Sequence, residues 1–187
     1  MSNGFYEINV AGLTRQLPLC PLNDKLTIAG FVIFGDPELT VASAAALNKL
    51  APEHDIMLTA ESKGIPLIHE MARQAGEPRY VLARKSVKAY MTDVFASGVD
   101  SITTNHHQTL YLSGSDAELL RGRRVLVVDD VISTGESLKA LEKLVTDAGG
   151  TVAGRMAILA EGDAIDRKDI IYLQKLPLFT PDGKPME

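Results

Sequence analysis

Apolar residues follow two rhythms along this chain. Five short runs are almost continuously apolar: DIMLTA at 55–60, YVLA at 80–83, RVLVVD at 124–129, VAGRMAILA at 152–160 and IIYLQKL at 170–176. Runs of that length and character predict strands covered on both faces. Between them the rhythm is helical. In GDPELTVASAAALNKL, Asp36 can cap a helix and Pro37 suits its first turn. Leu39, Ala42, Ala46, Leu47 and Leu50 then share a face. A second helix is predicted from Pro66, with Ile68, Met71, Ala72 and Ala75 inward. A third begins near Gly135, turns Leu138, Leu141, Leu144, Val145 and Ala148 inward, and ends at Gly149–Gly150.

Strands alternating with helices predict an α/β fold: a central, mostly parallel sheet flanked by helices. Residues 1–35 are irregular, with apolar patches and Pro18 and Pro21, and read as a short hairpin plus a cover segment, a small N-terminal hood. Residues 86–114 are polar and poorly periodic. They predict a flexible loop and a two-stranded arm around ITTNHHQTLYL. No repeat or low-complexity linker interrupts the chain, so residues 1–187 are expected to form a single domain.

Composition narrows the class. The 187 residues can bury roughly 70% of their unfolded surface. The net charge is −5 and the longest basic run is RGRR at 121–124, which argues against a nucleic-acid partner. Cys20 is the sole cysteine, so neither a disulfide nor a thiolate cluster can form within the chain, and a reducing, cytoplasmic setting is expected. MSNGFYEINV lacks the charged and apolar regions of a signal peptide, and no apolar run approaches ~18 residues, so no membrane partner is expected.

In open parallel sheets ligands bind outside the carboxyl ends of the strands. Three polar segments follow predicted strands there: Glu61-Ser62-Lys63-Gly64, Arg84-Lys85, and Asp129 to Ser137. A turn that opens a helix converges backbone N–H groups at the positive end of the helix dipole. Ser133, Thr134 and Ser137 add hydroxyls, Gly135 lets an anion approach, and Glu136 contributes its backbone N–H. The pattern suits a monophosphate; it has no lysine of the triphosphate-binding kind. The same turn also suits a plain helix cap. Asp129 and Asp130 suit two ribose hydroxyls or a magnesium ion, and equally a capping or solvated pair. A phospho-acceptor domain can also carry paired acids, but those sit near its start, whereas here too little chain remains. Lys63 and Gly64 make a second anion turn, and Arg84 and Lys85 add charge at a third strand end; taken singly, each of these cations equally suits a solvated surface position. His106 and His107 are adjacent, so on a strand they would face opposite ways, and an exposed pair is expected rather than a shared metal.

The stretch VLVVDDVISTGES, Val125 to Ser137, resembles the phosphoribosyl-pyrophosphate signature of the type I phosphoribosyltransferases. ESKG resembles that family's pyrophosphate loop, and ARKSVK the segment leading into its mobile loop. The resemblance covers about residues 36–176 and is closest to the adenine and xanthine branch. It implies a purine phosphoribosyltransferase of purine salvage that moves ribose 5-phosphate from phosphoribosyl pyrophosphate to a purine, with adenine favoured and xanthine or guanine next. Magnesium is the implied cofactor and a homodimer the implied assembly. Asp129 and Asp130 would hold the ribose hydroxyls, and the metal mainly through substrate and water. Ser133, Thr134, Gly135, Glu136 and Ser137 would wrap the 5′-phosphate. Glu61, Ser62, Lys63, Gly64 and Lys88 would bind the pyrophosphate side, with Asp130, Arg84 and Lys85 in catalytic roles. A cis peptide between Glu61 and Ser62 is also implied. The base half departs from the family: KLTIAGFVIFGD does not match the usual adenine segment, and AEGDAID lacks the aromatic of the xanthine branch. Phe31 and Tyr90 are the first candidate stackers, with Phe34 and Phe95 beside them, and core packing is the more expected fate of Phe31 and Phe34. That departure supports an alternative, a non-catalytic sensor of phosphoribosyl pyrophosphate or a nucleotide.

Overall fold

The computed structural model describes residues 4–186 apart from 100–107. Three antiparallel strands, β1 (Phe5–Val10), β2 (Leu13–Asn23) and β3 (Leu26–Ala29), form the N-terminal hood. Helix α1 (Pro37–Asn48) starts where expected: the Asp36 carboxylate accepts from the Leu39 N–H at 3.0 Å. Asp36 also receives Arg15 of β2 at 2.6 Å, so the same carboxylate ties hood to helix. Strand β4 (Ile56–Ala60), helix α2 (Gly64–Ala75) and strand β5 (Val81–Ala83) follow. Left-handed Gly76 ends α2 by returning its N–H to the last helical turn.

Strands β6 (Phe95–Val99) and β7 (Gln108–Leu112) make the two-stranded arm, and α3 (Gly114–Leu120) leads back to β8 (Arg124–Ile132). Helix α4 (Glu136–Asp147), β9 (Thr151–Glu161), a 3₁₀ turn (Gly162–Asp166) and β10 (Ile171–Leu176) complete the order. The central sheet runs β10-β9-β8-β4-β5, with every pairing parallel. Side chains alternate between two cores. Met57, Leu126, Val128 and Met156 face α1, α2 and the hood; Ile56, Leu58, Val125, Val127 and Ala157 face α3, α4 and the arm. Burial on both faces explains why these strands read as continuous apolar runs.

Three expectations needed correction. The inward stripe of α1 is Leu39, Thr40, Ser43, Ala44 and Leu47; Leu50 lies beyond the helix and is half exposed. Consecutive alanines leave two stripes nearly equivalent in hydrophobicity, and packing against α2 selects one. Helix α2 begins at Gly64, before Pro66, which sits in its first turn. Strand β8 does not stop at the acids but continues through Ile132, so that Asp129 pairs opposite Ala157 and Val131 opposite Leu159. The arm is anchored rather than free-standing. Leu110 and Leu112 are wholly buried in the second core, and the Ser97 hydroxyl donates to Asp147 of α4 at 2.6 Å.

Candidate active site

Four loops leave the carboxyl edge of the sheet side by side, after β5, β4, β8 and β9. The loop after β4 is packed hard against β8. A Cβ on Gly64 would lie 2.3 Å from Thr59 Oγ1 and 3.3 Å from Asp129 Oδ1, so only glycine allows α2 to begin this close to the acids. The Glu61–Ser62 peptide within this loop is cis. Lys63 reaches back over the loop, and its Nζ stands 3.1 Å from Asp130 Oδ2.

The two acids are unequal. Asp130 is 3% exposed, and its Oδ2 has the Lys63 charge beside it but no aligned hydrogen-bond donor among the described residues. Asp129 keeps some solvent contact and its Oδ1 accepts the Asp130 N–H at 2.9 Å. Burial, and then the neighbouring Asp130 charge, pushes the Asp129 carboxyl up to about 7. Burial raises the carboxyl of Glu161, at the end of β9, against the opposing charge of Lys63. Among the described residues no three acidic, histidine or cysteine side chains are disposed to hold a metal by themselves. A buried carboxylate oxygen that meets only the Lys63 charge, beside a second carboxylate, fits magnesium that completes its shell with substrate oxygens and water.

Glu61 organises the cations at the end of β5. Its Oε1 accepts from Arg84 Nη1 at 2.9 Å and its Oε2 from the Lys85 N–H at 2.9 Å, while Lys88 Nζ lies 3.5 Å away. These bonds hold the Glu61 carboxyl below the usual range, the Lys85 N–H being the largest cause. With both oxygens engaged by these donors, Glu61 gathers positive groups at this edge. Lys88 also donates to Ser86 Oγ at 2.9 Å, and backbone bonds between Arg84 and Tyr111 join this edge to the arm.

The segment Ser133–Ser137 turns from β8 into α4 and lines a small concavity of about 50 Å³ with Asp129. Gly135 caps α4 at φ +78°, the left-handed region that glycine adopts freely. Thr134 Oγ1 accepts from the Glu136 N–H at 3.5 Å. Ser62 lies between Glu61 and Lys63 in the opposing loop.

The aromatic candidates separate. As a stacker Phe31 is corrected, and its other expected fate, core packing, holds: it is 5% exposed within the core that joins hood to sheet, so its ring has no face for a ligand. Tyr90 is 67% exposed, with Arg84 stacked 5.9 Å from its ring centre. His106 and His107 lie outside the described residues. Arg167 was not legible as a site residue. It follows the 3₁₀ turn, and only the fold carries its guanidinium to Gly135.

Known proteins resemble this chain over most of its length. The family model described as phosphoribosyl transferase domain matches residues 40–175. An adenine phosphoribosyltransferase of Bifidobacterium longum subsp. infantis is 30% identical over 90% of this chain and 89% of its own. A hypoxanthine/guanine phosphoribosyltransferase of Ferroglobus placidus is 29% identical over 71% of this chain; against such relatives the matched stretch spans about two thirds of their length or less. The purine biosynthesis repressor PurR of Bacillus subtilis is 28% identical over 71% of this chain and 45% of its own. The crystal structure of an adenine phosphoribosyltransferase from Thermoanaerobacter pseudethanolicus superposes with a TM-score of 0.64 at 22% identity, covering 91% of this chain and 95% of that one. With its five-stranded parallel sheet and the VLVVDDVISTGES turn at its edge, the chain belongs to the phosphoribosyl transferase domain family.

Proposed function

We propose that this protein transfers ribose 5-phosphate from phosphoribosyl pyrophosphate to a ring nitrogen of a purine, adenine first, with release of pyrophosphate. The observation that carries the reading is the Lys63–Asp130 contact, which puts an anion-binding turn and the paired acids on one edge, next to the Ser133–Ser137 turn. In this reading the turn holds the 5′-phosphate and the acids hold the ribose hydroxyls. The bond from the anomeric carbon to pyrophosphate breaks as the bond to the base nitrogen forms, and the proton of that nitrogen passes to water or to the departing pyrophosphate. Lys63, Arg84, Lys85 and Lys88 offset the charge on the departing pyrophosphate, with Glu61 holding the last three in register. Magnesium, held by Asp129 and Asp130 largely through substrate and water, supplies charge neutralisation when bound. The segment from Ser86 closes over the centre and excludes water, which would otherwise capture an oxocarbenium-like carbon. The base enters a cavity of about 900 Å³ between Tyr6 and Asn9 of the hood and Gly162, Asp163 and Ile165 of the 3₁₀ turn, which starts one residue beyond Glu161. A cytoplasmic homodimer is the setting this reading expects.

A pyrophosphate-release assay with phosphoribosyl pyrophosphate, magnesium and adenine, hypoxanthine, guanine or xanthine tests the proposal. Turnover fastest with adenine is expected. The similarity to PurR favours a second reading, a sensor that binds phosphoribosyl pyrophosphate without turnover. Tight binding with no pyrophosphate released for any base would select the sensor and sink the enzyme.

A further inference from the structure

The Ser133–Ser137 turn has a charge problem if it holds a phosphate dianion. It contains no lysine, and the side chains in and beside it include the carboxylates Asp129, Asp130 and Glu136. Backbone N–H groups and a helix dipole supply only partial charges. The guanidinium of Arg167 lies against this turn. A Cβ on Gly135 would stand 2.8 Å from Arg167 Nη1, so that nitrogen fills the space that the missing side chain leaves.

The orientation of Arg167 is fixed from its other edge. Its Nε donates to Asp169 Oδ1 at 2.9 Å and its Nη2 to Asp169 Oδ2 at 2.6 Å, a two-point fork. Asp169 is in turn 3.7 Å from Arg155 Nε on β9, and Arg155 pairs with Glu142 on α4. Four alternating charges therefore run from the middle of α4, across β9, to the mouth of the turn. Among the described residues, Arg167 Nη1 has no hydrogen-bond acceptor of its own. The chain of charges is neutral as a whole, so what it offers the turn is a direction: a donor edge held towards Gly135 by a carboxylate behind it.

We infer that Arg167 is a phosphate-binding residue of this site, a donor aimed at the 5′-phosphate over Gly135, and that Asp169 is the residue that positions it. The inference rests on the reading of the turn as a phosphate site. It also gives Gly135 a second role. Besides adopting a positive φ, it leaves the gap through which the guanidinium reaches the anion. Charge-assisted contacts of this kind are shorter and stronger than neutral ones, but Arg167 is partly exposed, so the effect is moderated by solvent.

The test is calorimetric titration of the full chain with ribose 5-phosphate, which needs no knowledge of the base. Arg167→Gln removes the charge and keeps much of the bulk; it should weaken ribose 5-phosphate about tenfold. Asp169→Asn separates a positioned donor from bulk charge. It makes the neighbourhood more positive yet releases the fork, so a positioned donor predicts weaker phosphate binding. Thermal unfolding of both variants checks that the fold persists, and Arg167→Lys serves if the glutamine variant does not fold. It keeps the charge but not the fork, and is expected to bind severalfold more weakly than the wild type. If the wild type fails to bind ribose 5-phosphate, the phosphate reading falls and this inference falls with it. If the wild type binds but the Arg167 variants bind equally well, or Asp169→Asn binds more tightly, this inference alone is overturned.

Discussion

Lys63 Nζ stands 3.1 Å from Asp130 Oδ2, a half-exposed cation against a carboxylate that is 3% exposed. The asymmetry makes the two residues respond differently to replacement. Lys63→Met leaves a buried charge without its counterion and should cost about 1–3 kcal/mol, less than for a fully buried pair because Lys63 is solvated. Asp130→Asn frees a lysine that water already covers, so the ligand-free protein should be as stable as wild type or slightly more so. Binding of phosphoribosyl pyrophosphate should nevertheless weaken in both variants. Urea unfolding and calorimetric titration read the two effects separately. A Lys63→Met protein as stable as wild type would remove the pair from the account.

Gly64 has no room for a methyl group. Thr59 Oγ1 would lie 2.3 Å from it, and Thr59 is wholly buried. Gly64→Ala should therefore destabilise by about 1–3 kcal/mol through overpacking. Thr59→Ala removes the atom in the way, so the double variant should be more stable than the sum of the two single changes allows. Additivity in a urea-unfolding cycle would mean that the loop simply moves aside.

The Ser133–Ser137 turn predicts two changes different in kind. Thr134→Val removes one hydroxyl and should weaken adenosine monophosphate about tenfold, corresponding to roughly 1–3 kcal/mol for an unsatisfied polar group. Gly135→Val forces a branched residue to φ +78° and into Arg167, and should abolish monophosphate binding. Adenosine should be little affected by either change. Equal affinity of the wild type for adenosine and its monophosphate would refute the reading of this turn as a phosphate site.

Glu70 on α2 offers a pH test away from the site. Its oxygens accept from Arg73 at 2.7 and 2.8 Å and from Gln74 at 2.7 Å, and these bonds, Arg73's first, hold its carboxyl at about 2. A carboxyl depressed in the folded state adds stability above its unfolded pKa, near 4.5, and that stability fades as pH falls towards 2. Glu70→Gln should lower stability at pH 7 by about 1 kcal/mol, Arg73 being well exposed. The gap between variant and wild type should narrow steadily from pH 5 to pH 2.5. A gap that stays constant across that range would show that charge is not what Glu70 contributes.

The sequence by itself determined the sheet, because strands buried on both faces must be apolar at every position, and no exposed element looks like RVLVVD. It also determined the turn that opens α4, since a strand end, small polar residues and a glycine within Ser133–Ser137 are read locally. It did not determine which face of α1 is buried, because alanines in succession carry no direction until α2 presents a surface. Phe31 suited either a stacker or the core, and the closure of the hood onto the sheet decided for the core. The two oxygens of Glu61 meet Arg84 and the Lys85 N–H, 23 and 24 residues away, because β5 lies beside β4 in the sheet. Arg167 lies 32 residues beyond Gly135 in the chain, and no local pattern could bring them together. Contacts of that kind are set by the order in which β8, β9 and β10 lie in the sheet, which brings distant loops to one edge.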